Sequence, residues 1–423
     1  MVFFMTRVLK FSKLYFYLFI FGLSVSIPLN KTSSITLFDL VSVILFCAFL
    51  MSGYKLVNNN NSFFSFSFVL LILASFISFY YNNSDYNYVN LFRFLYVPFL
   101  IFVTSCVLYA VLSQMPNAKI ACTILVIAFC FGSILHLFYP ADLRILEYPI
   151  KFLLSLSLGV GLAFVIYYCF GNTKLSFVLI SLWFVFFSFL SLVEGSRLSF
   201  VIYLVAPFYY LSISWLSRKY RYIFFVITVI ILFLLISPLN SVLLSLVYIF
   251  NNDLYFRTLD QLSFSGNIFI SIRPESFINI TAFIDSPFFG RGPYNVEVEY
   301  LNLMHTLGFL STNYIYRENA YFHSLFFSSL HMVGVFSIPF WLYILNALFK
   351  FYFYFLGFSK DVFFYCMHII FFYSIWDILF SPPSFVSRFF ISFLIACYFL
   401  SRNDKYFFTS EVTIKAENNS KCA

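Results

Sequence analysis

The sequence predicts an all-α, polytopic integral membrane protein of about 12 transmembrane helices with one large loop on its outer side. Three observations carry that prediction. Hydrophobic residues make up 62% of the 423 positions and charged residues only 10%, a balance that belongs to the membrane class. Apolar runs of about 20 residues recur along almost the whole length, each long enough to cross a bilayer. Lysine and arginine fall on opposite sides of those runs.

In chain order the runs lie at 14–29, 35–52, 63–81, 91–113, 120–139, 149–170, 175–193, 198–216, 222–247, 323–349, 361–380 and 387–401. The first follows Arg7, Lys10 and Lys13 and has the look of a signal peptide. It lacks a small-residue cleavage site and further spans follow at once, so it reads as an uncleaved span. The connections at Gly53–Asn61, Gln114–Lys119, Gly171–Lys174, Ser217–Arg221 and Phe351–Lys360 are short and basic, which makes their side the cytoplasm and puts both termini there. The chain thus divides into an N-terminal bundle (1–250), a large outer loop (251–322), C-terminal spans (323–401) and a polar tail (402–423).

The outer side holds only Lys31 and Lys151 among the lysines, yet it collects Arg93, Arg144, Arg197, Arg257, Arg273, Arg291, Arg317 and Arg388. Guanidinium forks suit phosphate recognition, so the outer side reads as the working face. The net charge of +8 follows from cytoplasmic anchoring and needs no nucleic acid as partner. No Cys-x-x-Cys pair suggests a metal, and the large loop contains no cysteine for a disulfide framework.

A loop of that length is functional or disordered, and this one keeps Phe, Ile, Tyr and Leu throughout, so it reads as folded on the bundle. Within it, Pro274–Asp285 has the pattern of a short amphipathic helix, ended by the glycine-rich turn Ser286-Pro-Phe-Phe-Gly-Arg-Gly-Pro293. Arg197 follows Glu194-Gly-Ser196 at the outer start of the eighth span, Arg273 precedes the amphipathic helix, Arg291 lies between two glycines, and His323 opens the tenth span. Arginines at one depth can hold a pyrophosphate by paired, charge-assisted hydrogen bonds, and a neutral His can take the proton of a sugar hydroxyl near pH 7. Such parts suit glycan transfer from a lipid pyrophosphate, a leaving group that requires neither metal nor cofactor. Arg144 and Arg317 have Glu147 and Glu318 nearby and read as solvated pairs, while His331 and His368 read as packed residues. Asp39 and Asp377 lie inside apolar runs, where charge is costly, so each should pair or face a cavity. Glu194 and Asp285 have the chemistry of a glycosidase-like carboxylate pair, though no spacing places them together.

Glu194-Gly-Ser-Arg-Leu-Ser-Phe200, then Arg273, then Ala282–Pro293, then Phe322–Val335 with Gly334 eleven residues after His323, follow in the order seen in the O-antigen polymerase and O-antigen ligase superfamily of lipid-dependent glycosyltransferases, and the chain resembles that family over roughly 190–340. Ser324 stands where ligases often carry Asn, and before residue 190 only Arg93 stands out. The resemblance implies a GT-C-like helical bundle in the inner membrane of a Gram-negative bacterium, with its site facing the periplasm. It implies an undecaprenyl-pyrophosphate-linked oligosaccharide as donor, with Arg197, Arg273 and Arg291 binding pyrophosphate and His323 engaging the acceptor hydroxyl. Arg93, Glu194, Ser196 and Ser324 would support them, and membrane lipids and a polysaccharide chain-length regulator are the implied partners. The polymerase is favoured over the ligase, which transfers the finished glycan to lipid A–core. A lipid-linked oligosaccharide flippase is the alternative of another class; it would be expected to show internal repeats and midplane sites.

Overall fold

The computed structural model describes residues 13–29, 35–53, 62–82, 88–136, 154–193, 196–217, 220–228, 274–293, 299–300, 302–303, 324–356, 361–381 and 384–403. Thirteen named α-helices cover most of them: α1 (Lys13–Leu23), α2 (Leu37–Met51), α3 (Ser62–Asn82), α4 (Tyr88–Ser113), α5 (Ala118–Leu135), α6 (Ser155–Phe170), α7 (Lys174–Val193), α8 (Arg197–Trp215), α9 (Pro274–Asp285), α10 (Leu325–Val333), α11 (Ile338–Leu356), α12 (Val362–Phe380) and α13 (Phe385–Asn403). Among the described residues there is no strand beyond a single bridge between Pro28 and Thr36.

Among the described residues, seven stretches are long and apolar enough to cross a membrane: α3, α4, α5, α7, α12, α13, and the joined segment Leu325–Tyr354. Their surfaces agree with that. Helix α3 buries Phe64, Phe68, Leu71 and Phe79, yet it also exposes Phe63, Phe66, Val69, Leu73 and Ile77. A helix apolar on every face is stable only where its outward face meets lipid. The chain is therefore an all-α, membrane-embedded protein. As described, helices α1, α2 and α6 are shorter than a full crossing needs.

Helices from the two ends of the chain interleave. α13 packs along α4 and α11, α12 against α6 and α8, and α11 against α3. Phe129 of α5 stacks on Phe389 of α13 with centroids 3.6 Å apart. Where aliphatic burial gains little over lipid, close packing of this kind holds the bundle. The described helices before residue 216 and after residue 324 thus pack into one bundle.

Polar contacts tie the helix ends. At one end Lys119 meets Asp361 at 2.7 Å, and the Val362 amide donates to Asn172 Oδ1. Arg221 donates to the carbonyls of Ile213, Leu216 and Leu356, satisfying the last carbonyls of α8 and α11. At the opposite end Arg388 of α13 pairs with Asp39 of α2 at 3.0 Å, with its guanidinium 5.1 Å from the Tyr96 ring. Asp39 Oδ2 also accepts from the Thr36 amide and hydroxyl, closing the N-terminal cap of α2. Asp377 accepts from Ser387 Oγ at 2.6 Å. Both intramembrane aspartates are therefore partnered, and Arg388 is held inside the bundle.

The tenth span, expected over 323–349, falls in the apolar stretch Leu325–Tyr354, and its helix is interrupted: α10 stops at Val333, a 3-10 turn follows at Gly334–Ser337, and α11 resumes at Ile338. Gly334 has φ +72°, a left-handed conformation that no helix continues through.

Candidate functional site

The break at Gly334 is filled by the glycine-rich turn after α9. In a continuous helix the Val335 amide would donate to His331 O. Instead it donates to Pro287 O at 2.8 Å, and the Arg291 amide takes its place on His331 O at 2.8 Å. Met332 O accepts from the Gly292 amide at 3.1 Å and from Ser78 Oγ of α3 at 2.7 Å. Gly290 O accepts from Asn82 Nδ2 and Ser286 Oγ. The turn therefore satisfies the backbone groups that the broken span leaves open, as groups at membrane depth require.

That docking fixes the base of Arg291. Its guanidinium lies 5.8 Å from the ring centroid of Tyr300, and Nη2 is 3.8 Å from Asp285 Oδ2. Tyr300 Oη donates to the same Asp285 oxygen at 2.6 Å, and its ring lies 5.7 Å from that of His331. Tyr300 and His331 are buried, while Arg291 and Asp285 keep 30% and 42% of their side chains exposed, so the charged layer opens outward over an aromatic floor.

Helices α9 and α10 pack side by side and run in the same direction. Asn279 Nδ2 reaches Ser328 Oγ at 3.5 Å, and further along both chains the 287–292 turn meets residues 331–335. From that Asn279–Ser328 level back to Pro274 is about 7.5 Å of helix, and back to Ser324 about 6 Å. The two helices therefore start at one level. Ser324 caps α10, accepting from the Phe327 amide at 3.0 Å, and its hydroxyl faces Ile378 O of α12 at 3.4 Å.

The end of α12 is shared. Ser324 meets it at Ile378, and Tyr203 of α8 packs on Tyr373 with centroids 5.8 Å apart while donating to Ser155 O at the head of α6. Tyr373 and Ile378 are about 7.5 Å apart along the helix axis. The head of α8, which begins at Arg197, and the head of α10 thus flank one stretch of α12. Ser196 stands before α8 with its hydroxyl 2.5 Å from Ser199 Oγ.

The described residues place some members of the predicted constellation without joining them: Arg291 docks at His331, about 10 Å along α10 from Ser324. Arg291 is in the docked turn, Ser324 is a buried helix cap, and Arg93 lies on the exposed face of α4. Arg197 is described by its backbone alone, and Arg273, His323 and Glu194 lie outside the described residues. Sequence reasoning passed over Tyr300 and treated His331 only as packing. Asp285 entered only as a partner for Glu194, whereas its carboxylate engages Tyr300 and Arg291. His368 is a packed residue, as expected: it is buried, with Nδ1 on Phe364 O and rings of Tyr209, Tyr210 and Tyr352 around it.

Comparison of the chain with protein-family models, with curated proteins and with solved structures gives no match.

Proposed function

We propose that the protein is a glycosyltransferase of the polymerase type, joining glycan repeat units carried on undecaprenyl pyrophosphate at the outer face of a bacterial inner membrane. The observation that carries this reading is the shared wall at the end of α12. The helices headed by Arg197 and by Ser324, the neighbour of His323, flank it, and the helix that follows Arg273 starts level with α10. Arg197 and Arg273 would hold the two phosphates by charge-assisted bonds. His323 would draw the proton from the acceptor hydroxyl as the glycosyl C–O bond to pyrophosphate breaks and the new C–O bond forms. Lipid-linked pyrophosphate then leaves with the bonding pair.

The test is a deletion of the gene in its own host, with lipid-linked glycans and surface polysaccharide analysed together. Loss of a polymerase leaves single repeat units on the lipid at the outer face and removes the ladder of longer chains. Accumulation of long lipid-linked chains would point to the ligase instead, and retention of single units on the cytoplasmic face to a flippase. An unchanged ladder overturns all three.

A further inference from the structure

Asp285 serves two partners unequally. Its Oδ2 takes a short hydrogen bond of 2.6 Å from Tyr300, and the same oxygen stands 3.8 Å from Arg291 Nη2, inside ion-pair range but beyond hydrogen-bond range. An Arg and a carboxylate free to approach close to about 2.7–2.9 Å and favour two parallel bonds. Neither side is free here. The Arg291 backbone is pinned to His331 O, and Asp285 is drawn toward Tyr300, whose own side chain is buried. The cation instead rests near the Tyr300 ring, and both charged side chains stay partly open to the outside.

We infer that Asp285 is a tethered, exchangeable counter-ion. It neutralises Arg291 while the site is empty, and a phosphate-type anion takes its place on the guanidinium. The inference rests on the reading of Arg291 as a pyrophosphate-binding residue and adds the residue that sets how tightly the anion is held. A fixed negative charge beside the arginine weakens binding of any anion. The Tyr300 tether prevents that charge from closing into a bidentate pair that would shut the site. A catalyst that must discharge one lipid pyrophosphate for every glycan it adds gains speed when the product is held loosely.

The two side chains then act in opposite directions, which a mere brace does not do. Asp285→Asn keeps an oxygen for the Tyr300 bond and removes the charge. Tyr300→Phe keeps the charge and removes the tether. With the full-length protein in lipid nanodiscs, binding of undecaprenyl pyrophosphate and of inorganic pyrophosphate is measured for wild type and both variants, alongside glycan transfer. Asp285→Asn is expected to tighten binding of the lipid pyrophosphate by about three- to tenfold, and Tyr300→Phe to weaken it by a similar factor. Should Tyr300→Phe fail to fold, Asp285→Glu, which extends the carboxylate toward Arg291, supplies the weakening arm. Shifts in the same direction, or none, overturn the counter-ion role, and if transfer persists they leave the glycosyltransferase reading standing. Opposite shifts with inorganic pyrophosphate bound as tightly as the lipid keep the counter-ion and remove the lipid donor. Absence of anion binding to the wild type overturns both.

Discussion

Gly290 and Gly334 each leave the room that the other's segment fills. A Cβ on Gly334 would stand 2.5 Å from the carbonyl oxygens of Pro287 and Phe288, and a Cβ on Gly290 would stand 2.5 Å from Val333 N. Both residues have positive φ, +72° and +63°. The turn and the broken span are therefore one interlocked unit, and the depth of Arg291 depends on it.

Gly334→Ala should accordingly cost more than the backbone strain alone. Forcing a side chain into the left-handed region costs about 1–2 kcal/mol, and the overlap with two backbone oxygens adds to it. Gly53 is the control: its φ is +70°, and a Cβ there meets nothing within 4 Å. In detergent, Gly334→Ala and Gly290→Ala should lower the thermal midpoint clearly further than Gly53→Ala. Equal shifts for all three would show that the docking contributes nothing.

The Asp39–Arg388 pair gives a second prediction. Both side chains are buried, at 3.0 Å, and they join α2 to α13. Removing one partner of a buried pair strands the other charge, at a cost of about 3–5 kcal/mol. Arg388→Met should therefore destabilise strongly. Adding Asp39→Asn should recover part of the loss, because Asn can still accept the cap bond from Thr36 without carrying a charge. A double variant less stable than Arg388→Met alone would contradict this account.

These two contacts also mark how far the sequence could be read. That Asp39 needs a partner follows from the cost of a charge in an apolar run, but the partner is 349 residues away and no spacing rule reaches it. Arg388 consequently stood only as one of the arginines of the outer side. Pro274–Asp285 and the turn after it were legible because proline and glycine punctuate the chain locally. The break in the tenth span was not, because hydropathy is blind to φ and Gly334 sits in an uninterrupted apolar run. Tyr300 is one of 32 tyrosines, and nothing local distinguishes the one that holds Asp285.

For the pyrophosphate-binding role, Arg197→Lys and Arg273→Lys should each lose much of the glycan-transfer activity although charge is kept. A point charge cannot reproduce two parallel bonds from a planar fork. Arg144→Lys and Arg317→Lys, read as solvated pairs with nearby glutamates, should be mild. With expression matched, full activity of Lys at both 197 and 273 would remove the bidentate role.

Two adjacent residues separate chemistry from architecture. Ser324 is the N-cap of α10, its hydroxyl accepting from the Phe327 amide at 3.0 Å, so Ser324→Ala should cost about 1 kcal/mol of stability and leave transfer largely intact in protein that folds. His323, one peptide before it, is the proposed general base. A sugar hydroxyl is a poor nucleophile until its proton is drawn away, and such help is worth about 10²–10⁴-fold in rate. His323→Gln keeps polarity and approximate reach but cannot take the proton. It should therefore fold, bind the lipid-linked donor and lose transfer by a factor in that range, the opposite balance to Ser324→Ala. Near-normal polymer from His323→Gln, read as an intact ladder of surface polysaccharide, would falsify the general-base role. It would leave the head of α10 with a capping function only, and the acceptor's proton would have to go to another group at the end of α12, where Asp377 already accepts from Ser387.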